Sequence, residues 1–297
     1  MQQLNLRTGS IGLGAMGMHM ARSLHRGGSL TGVWNRTEAK SIALAAELGV
    51  RRFTAPAELA ANCDAIVICV SADADLRAVI SAMLPKLAAN TLVIDCSTVS
   101  ADTARDVAQT LSSHGVSFLD CPVSGGVEGA RLATLAIMVG GTEVAFDRAQ
   151  PVLQQLGRTI TRFGECGAGQ AAKATNQIMC AGIIQVVAEA IAFAQAEGLP
   201  LDALIDTLGK GAGSSWYFMN RAPFMAKQEY PAGFRVRLHD KDLRICRDMA
   251  AQHGATLPAV ETTLALYERL IAEGHGDEDI SAVFRLTSTL FARPKKS

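Results

Sequence analysis

Gly12-Leu13-Gly14-Ala15-Met16-Gly17 follows a short apolar run, Ser10 to Leu13, and precedes a helical pattern from Met18 to His25. In that strand-turn-helix setting a G-x-G-x-x-G has a physical purpose. The glycines permit a tight turn, close approach of the backbone to a pyrophosphate and close packing of helix on strand, while the helix N-terminus faces the anion. All six residues from Gly12 to Gly17 therefore read as the phosphate loop of a dinucleotide site.

Working outward, short apolar runs alternate with helical periods as far as about residue 163, the pattern of βαβ units and a parallel sheet. The runs are Ser10 to Leu13, Thr31 to Asn35, Asp64 to Val70, Thr91 to Cys96, Val116 to Cys121, Leu135 to Val139 and Thr159 to Phe163, with helices such as Glu38 to Leu48 and Ala101 to Ser112 between them. After Gly164 the strand-like runs stop. Helical periods follow at Gln170 to Glu197, Leu201 to Gly209, Lys241 to His253, Leu257 to Glu273 and Ile280 to Phe291. The fold expected is α/β: an N-terminal Rossmann domain with a doubly wound parallel sheet (1–164), joined by one long helix to an all-α domain for substrate and dimerisation (165–297).

The second strand ends at Asn35-Arg36-Thr37, where an NAD enzyme presents Asp or Glu to the ribose hydroxyls. A neutral amide, a guanidinium and a hydroxyl suit a 2′-phosphate instead, so the expected cofactor is NADP(H) in preference to NAD(H). Ligands of open α/β sheets lie outside the carboxyl ends of the strands. Val70, Ser71 and Thr98 are accordingly expected along the same edge, although the hydroxyls of Ser97 and Thr98 serve equally well as helix caps.

The bulk composition excludes several functions. Lys plus Arg number 28 and Asp plus Glu 28, for a formal net charge of zero, so the electrostatic footprint of a nucleic-acid or anionic-membrane partner is missing. Pro294-Lys295-Lys296 reads as a solvated tail. The seven cysteines have no C-x-x-C spacing and read as free thiols of a reducing compartment, with neither a disulfide frame nor a metal site. No secretory pattern is seen near Met1, so a cytoplasmic location is expected. The apolar stretch Ala181 to Ala196 is broken by Gln185, Glu189 and Gln195, which makes it a core helix and not a membrane span. Because Gln170 to Glu197 is apolar over more than one stripe, a homodimer or homotetramer that covers it is expected.

Lys173, Asn176 and Gln177 share one face near the start of that long helix by i, i+3, i+4 spacing. A lysine in the first turn meets the positive end of the helix dipole, and partial burial adds to the effect, both favouring a neutral amine fit for proton transfer. An ordinary surface lysine would satisfy the same pattern.

With these motifs in this order the chain resembles the β-hydroxyacid dehydrogenase family, which includes 3-hydroxyisobutyrate dehydrogenase, tartronate semialdehyde (2-hydroxy-3-oxopropionate) reductase and glyoxylate/succinic semialdehyde reductase, with a 6-phosphogluconate dehydrogenase-like cofactor domain. The resemblance spans about residues 9 to 290. It rests on the glycine loop, Asp120-Cys121-Pro122-Val123-Ser124-Gly125-Gly126, the Lys173/Asn176 helix start and Lys241-Asp242-Leu243. It implies an oxidoreductase that interconverts a small 3-hydroxy acid and its semialdehyde by hydride transfer. Ser124, Gly125 and Gly126 would hold the substrate carboxylate, Lys173 would act as general acid/base, Asn176 would orient the substrate, and Lys241 would close over the cofactor.

Two places depart from the family pattern. Ala133 stands where glycine is common before Thr-Leu, and Gly213 to Arg221, with Trp216 and Phe218, replaces smaller residues. Trp216 is expected either to line the substrate pocket or to pack in the core. Two other functions fit the sequence: a dehydrogenase of a polar hydroxy acid such as serine or threonate, selected around Trp216 and Arg221, and a dinucleotide-binding module without turnover.

Overall fold

In the computed structural model, which describes residues 6–291, the run before the glycine loop forms β1 (Thr8–Ile11), buried at all four residues. There follow α1 (Gly17–Arg26), β2 (Leu30–Trp34), α2 (Glu38–Leu48), β3 (Arg51–Arg52), α3 (Pro56–Ala60), β4 (Ala65–Ile68), α4 (Asp73–Met83), β5 (Leu92–Asp95), α5 (Ala101–Ser112) and β6 (Ser117–Asp120). The first unit continues with β7 (Val123–Ser124), α6 (Gly126–Leu132), β8 (Leu135–Gly140), α7 (Glu143–Leu153) and β9 (Gly157–Gly164).

The sheet order is β3-β2-β1-β4-β5-β6-β8-β7, with β9 also on β8. The six strands from β3 to β6 are parallel and follow the two-half Rossmann order. The direction reverses at β8, which runs antiparallel to β6 and β7, and β9 shares the reversed direction by pairing parallel with β8. Alternate residues of β4 enter different cores. Ala65 and Val67 pack with Leu92, Ile94, Leu135 and Val139, whereas Ile66 and Ile68 pack with Leu76, Val93, Val107 and Leu111. A sheet covered on both faces needs such continuous apolar strands, which is why their runs stand out in the sequence.

The chain divides into two compact units, Met1–Lys173 and Ala174–Ser297. The second is helical: α8 (Ala168–Ala196), which starts in the first unit, then α9 (Leu201–Leu208), α10 (Trp216–Lys227), α11 (Val236–Gln252), α12 (Pro258–Ala272) and α13 (Phe284–Thr287). Ile184, Ile191, Leu243, Val260, Leu264, Tyr267 and Phe284 form its core. The helix expected over Ile280 to Phe291 is instead a short α-helix between two 3-10 turns. By length and composition α8 could cross a bilayer, but Ala181, Ile184, Ala188 and Ile191 are spent in this core, as in the central helix of a globular domain. The Pro294-Lys295-Lys296 tail lies outside the described residues.

Candidate active site

The carboxyl ends of five strands are in register: Ile11 pairs with Trp34 and with Ile68, Ile68 with Asp95, and Asp95 with Asp120. The residues that follow each end therefore emerge along one edge. A Cβ on Gly12, whose φ is +89°, would run into the Cys69 carbonyl, and one on Gly17 into the Gly12 carbonyl, whereas a Cβ on Gly14 would meet nothing within 4 Å. Turn and packing consume the outer two glycines. The middle one leaves the loop backbone open to a pyrophosphate at the start of α1, so this part of the chain fits a dinucleotide.

Asn35 is a brace for that loop. Its Oδ1 accepts from Leu13 N at 2.7 Å and its Nδ2 donates to Thr37 O at 2.9 Å, so the amide ties the end of β2 to the loop. Arg36 has 80% of its side chain exposed and is ion-paired with Asp75 in the first turn of α4. Thr37 precedes α2 without a capping bond from its side chain. Ser97 is not a helix cap: its Oγ accepts from Val70 N at 2.9 Å, its own N–H donates to Asp95 Oδ1 at 3.0 Å, and Ser100 caps α5. Val70 and Thr98 are half-buried and Ser71 is exposed.

Lys173 is buried, at 7% exposure, and its Nζ donates to Val123 O at 2.9 Å. Because α8 begins at Ala168, Lys173 is its sixth residue and stands in the second turn, not the first. The dipole argument made from sequence loses its force there, since that effect fades beyond the first turn, and burial is what remains. The carbonyl that holds the amine precedes Ser124, the last residue of β7, and Gly125 and Gly126 follow with φ of +129° and +62°. The lysine head thus lies beside the Ser124-Gly125-Gly126 turn.

One helical turn on, Asn176 donates to Gln177 Oε1 at 2.8 Å and to Cys180 Sγ at 3.4 Å. Gln177 is buried and donates to Asp242 Oδ2 at 2.8 Å, and Lys241 Nζ lies 2.9 Å from Asp242 Oδ1. The Lys241-Asp242-Leu243 motif of α11 is in this way moored to α8 through Gln177. Nearby, His239 Nδ1 is 3.0 Å from Tyr267 Oη.

Trp216 starts α10 at 59% exposure, lies edge-on to Tyr217 and carries the Arg221 guanidinium 4.9 Å above its ring. It is not core packing. Phe218, 5% exposed, is. Burial and the neighbouring Cys180 push the Tyr217 hydroxyl above its ordinary range. Among the described residues no group of His, Cys, Asp and Glu could hold a metal.

Comparison with known proteins agrees with this geometry. Residues 7–164 match the NAD-binding domain of 6-phosphogluconate dehydrogenase, and residues 167–287 match the NAD-binding module of NADP-dependent 3-hydroxyisobutyrate dehydrogenase. An uncharacterized oxidoreductase of Synechocystis sp. is 40% identical, with 92% of this chain and 95% of the relative covered. The chain belongs to the β-hydroxyacid dehydrogenase family. A NAD-dependent L-serine dehydrogenase of Pseudomonas aeruginosa is 31% identical over 93% of this chain and 96% of its own. The structure of Mycobacterium tuberculosis 3-hydroxyisobutyrate dehydrogenase with L-serine superposes with a TM-score of 0.86 at 34% identity, covering 94% of this chain and 98% of that one.

This β-hydroxyacid dehydrogenase is an oxidoreductase of CH–OH groups in small molecules, built from NAD(P)-binding modules. Sequence reasoning gave no role to three of its residues. Asp75 faces Arg36 from 39 residues away, and Asp242 anchors Gln177 from 65 residues away. Asp120 accepts from Gly167 N and Gln170 N, while burial pushes its carboxyl above the ordinary range against the pull of those donors. Of the three, only Asp120 and Asp242 had a signal, as members of the family motifs.

Proposed function

We propose that this dehydrogenase interconverts a small 3-hydroxy acid and its semialdehyde, prefers NADP(H), and uses Lys173 as general acid/base. The observation that carries the reading is the buried Lys173 amine held at 2.9 Å on Val123 O, directly before the Ser124-Gly125-Gly126 turn. A solvated surface lysine has no reason to occupy that place.

When bound, the oxidised nicotinamide accepts a hydride from the carbinol carbon, and the reduced form returns it. The loop Gly12-Leu13-Gly14-Ala15-Met16-Gly17 would receive the pyrophosphate, and Val70, Ser71, Thr98 and Lys241 would hold the rest of the cofactor. Ser124 and the amides of Gly125 and Gly126 take the substrate carboxylate. In oxidation the neutral Lys173 amine removes the hydroxyl proton as the C–H bond gives up its hydride and the carbonyl forms. In reduction the ammonium returns that proton to the developing alkoxide. Asn176, one turn further along α8, orients the substrate, and Trp216 bounds its side chain.

The NADP(H) preference rests on Arg36, the only cation of the Asn35-Arg36-Thr37 segment, and on the absence of an acid at the end of β2. Residues 1–164 serve as the cofactor domain and 165–297 as the substrate and dimerisation domain of a cytoplasmic homodimer or homotetramer. A second reading, oxidation of a polar hydroxy acid such as L-serine, is favoured by the L-serine dehydrogenase among the relatives. A panel of short 3-hydroxy acids, L-serine included, assayed with NADP⁺ and NAD⁺ tests both. Highest kcat/KM for an alkyl-substituted 3-hydroxy acid with NADP⁺ supports the first, and highest kcat/KM for L-serine the second.

A further inference from the structure

We propose that Asp120 is the positioning residue for Lys173, holding the start of α8 so that the amine stands where proton transfer requires it. This rests on the reading of Lys173 as the acid/base. Asp120 ends β6 with no exposed surface. Both of its carboxylate oxygens are used: Oδ1 accepts from Gly167 N at 2.8 Å and Oδ2 from Gln170 N at 2.9 Å.

A helix leaves its first amides without partners, and ordinarily a Ser, Thr, Asp or Asn at its own N-cap takes one of them. Before Ala168 stands Gly167, with φ of +94° and no side chain. The cap is therefore lent by another element, 47 residues earlier in the chain. The approach is as close as the backbone allows. A Cβ on Gly140 would run into the Asp120 carboxylate, and one on Gly169 would lie 2.8 Å from Asp120 Oδ2. Gln170 adds a second tether, its Nε2 donating to Ser97 O at 2.9 Å.

Three residues beyond Asp120, Val123 O accepts from Lys173 Nζ, and Lys173 stands three residues beyond Gln170 on the same helix. One short segment, 120–123, grips α8 at two points a turn apart, which fixes both the rotation and the axial position of the lysine. Capping alone would be met by a residue at the N-cap position itself. A carboxylate brought from the segment that also binds the amine couples the helix start to the lysine head.

The test is a double-mutant cycle on the full-length protein, with Asp120→Asn, Lys173→Ala and the pair together. Asparagine keeps the shape but accepts at one oxygen only, so one amide of the first turn is left facing an NH2 group. The expected result is that Asp120→Asn lowers kcat at least tenfold, with KM and NADP(H) affinity changed less than threefold, and that the double variant is no slower than Lys173→Ala. A residue that merely stabilises the fold would leave kcat of the folded enzyme unchanged or add its loss to that of Lys173→Ala, and either result would overturn the proposal. If Lys173→Ala alone keeps most of its turnover, the acid-base reading beneath it falls first. Should Asp120→Asn not fold, amide exchange in the wild-type protein decides. Gly167 and Gln170 amides as protected as those of β6 support the cap, and rapid exchange at both would overturn it.

Discussion

Arg36, just past β2, is ion-paired with Asp75 in the first turn of α4. The guanidinium proposed to receive the 2′-phosphate thus already has an anionic partner, which a bound NADP(H) must share or displace. Two opposite effects are predicted. Arg36→Ala should weaken NADP(H) binding by about 1.5 kcal/mol, roughly tenfold, and leave NAD(H) nearly untouched. Asp75→Asn should strengthen NADP(H) binding alone, by freeing the guanidinium. Titration of each variant with both cofactors checks this, and an equal loss of both in Arg36→Ala would make Arg36 structural.

Asn35 predicts the contrasting pattern. Its bond to Leu13 N shapes the loop that both cofactors share. Asn35→Ala should therefore weaken NADP(H) and NAD(H) alike, by about 1 kcal/mol, the usual net value of one hydrogen bond. Isothermal titration showing a loss confined to NADP(H) would return Asn35 to the 2′-phosphate.

Ala133 ends α6 in the left-handed region, with φ of +54°. This accounts for glycine being common at that point in the family. An L-residue there costs about 1 kcal/mol that glycine does not. Ala133→Gly should raise Tm by about 1 °C in a thermal melt, because the extra entropy of the unfolded glycine chain offsets part of that gain. A lowered Tm would mean that the methyl group packs usefully.

What was legible in the sequence follows a physical division. The glycine loop, α2 and α5 stand where the periodicity puts them, since each depends on residues within a few positions of one another. β3 and β7 hold two residues each, too few for any period. α10 escaped because Pro223 sits inside it and its polar and apolar residues are mixed. At the site, Lys173 and the Ser124-Gly125-Gly126 turn were found as motifs. The acids that govern Arg36, Gln177 and the start of α8 come from 39, 65 and 47 residues away, distances over which a pattern carries no signal. The misplacement of Lys173 in the first turn came from counting the helical period from Gln170, two residues after α8 starts at Ala168.

Association should depend on the outer face of α8, where Met179, Ile183, Val186 and Phe193 are 54%, 36%, 64% and 53% exposed, an apolar stripe left uncovered by the unit that holds it. A homodimer or homotetramer is predicted for the wild type. Val186→Glu should give a monomer by light scattering at micromolar concentration. A monomeric wild type at that concentration would remove the argument.

The central claim is that the Lys173 amine transfers the proton, and turnover of Lys173→Ala tests it most directly. Steady-state oxidation of the best 3-hydroxy acid by NADP⁺ should show kcat reduced by about 10² to 10⁴, the range for a general acid/base, with cofactor affinity close to wild type. Lys173→Arg should not restore it, because a guanidinium keeps its proton near neutral pH. The rise of kcat/KM with pH in the wild-type oxidation should be absent from both variants. Lys173→Ala with most of its turnover intact, or with cofactor binding lost in its place, would contradict the account and leave the lysine as a structural or cofactor-holding residue.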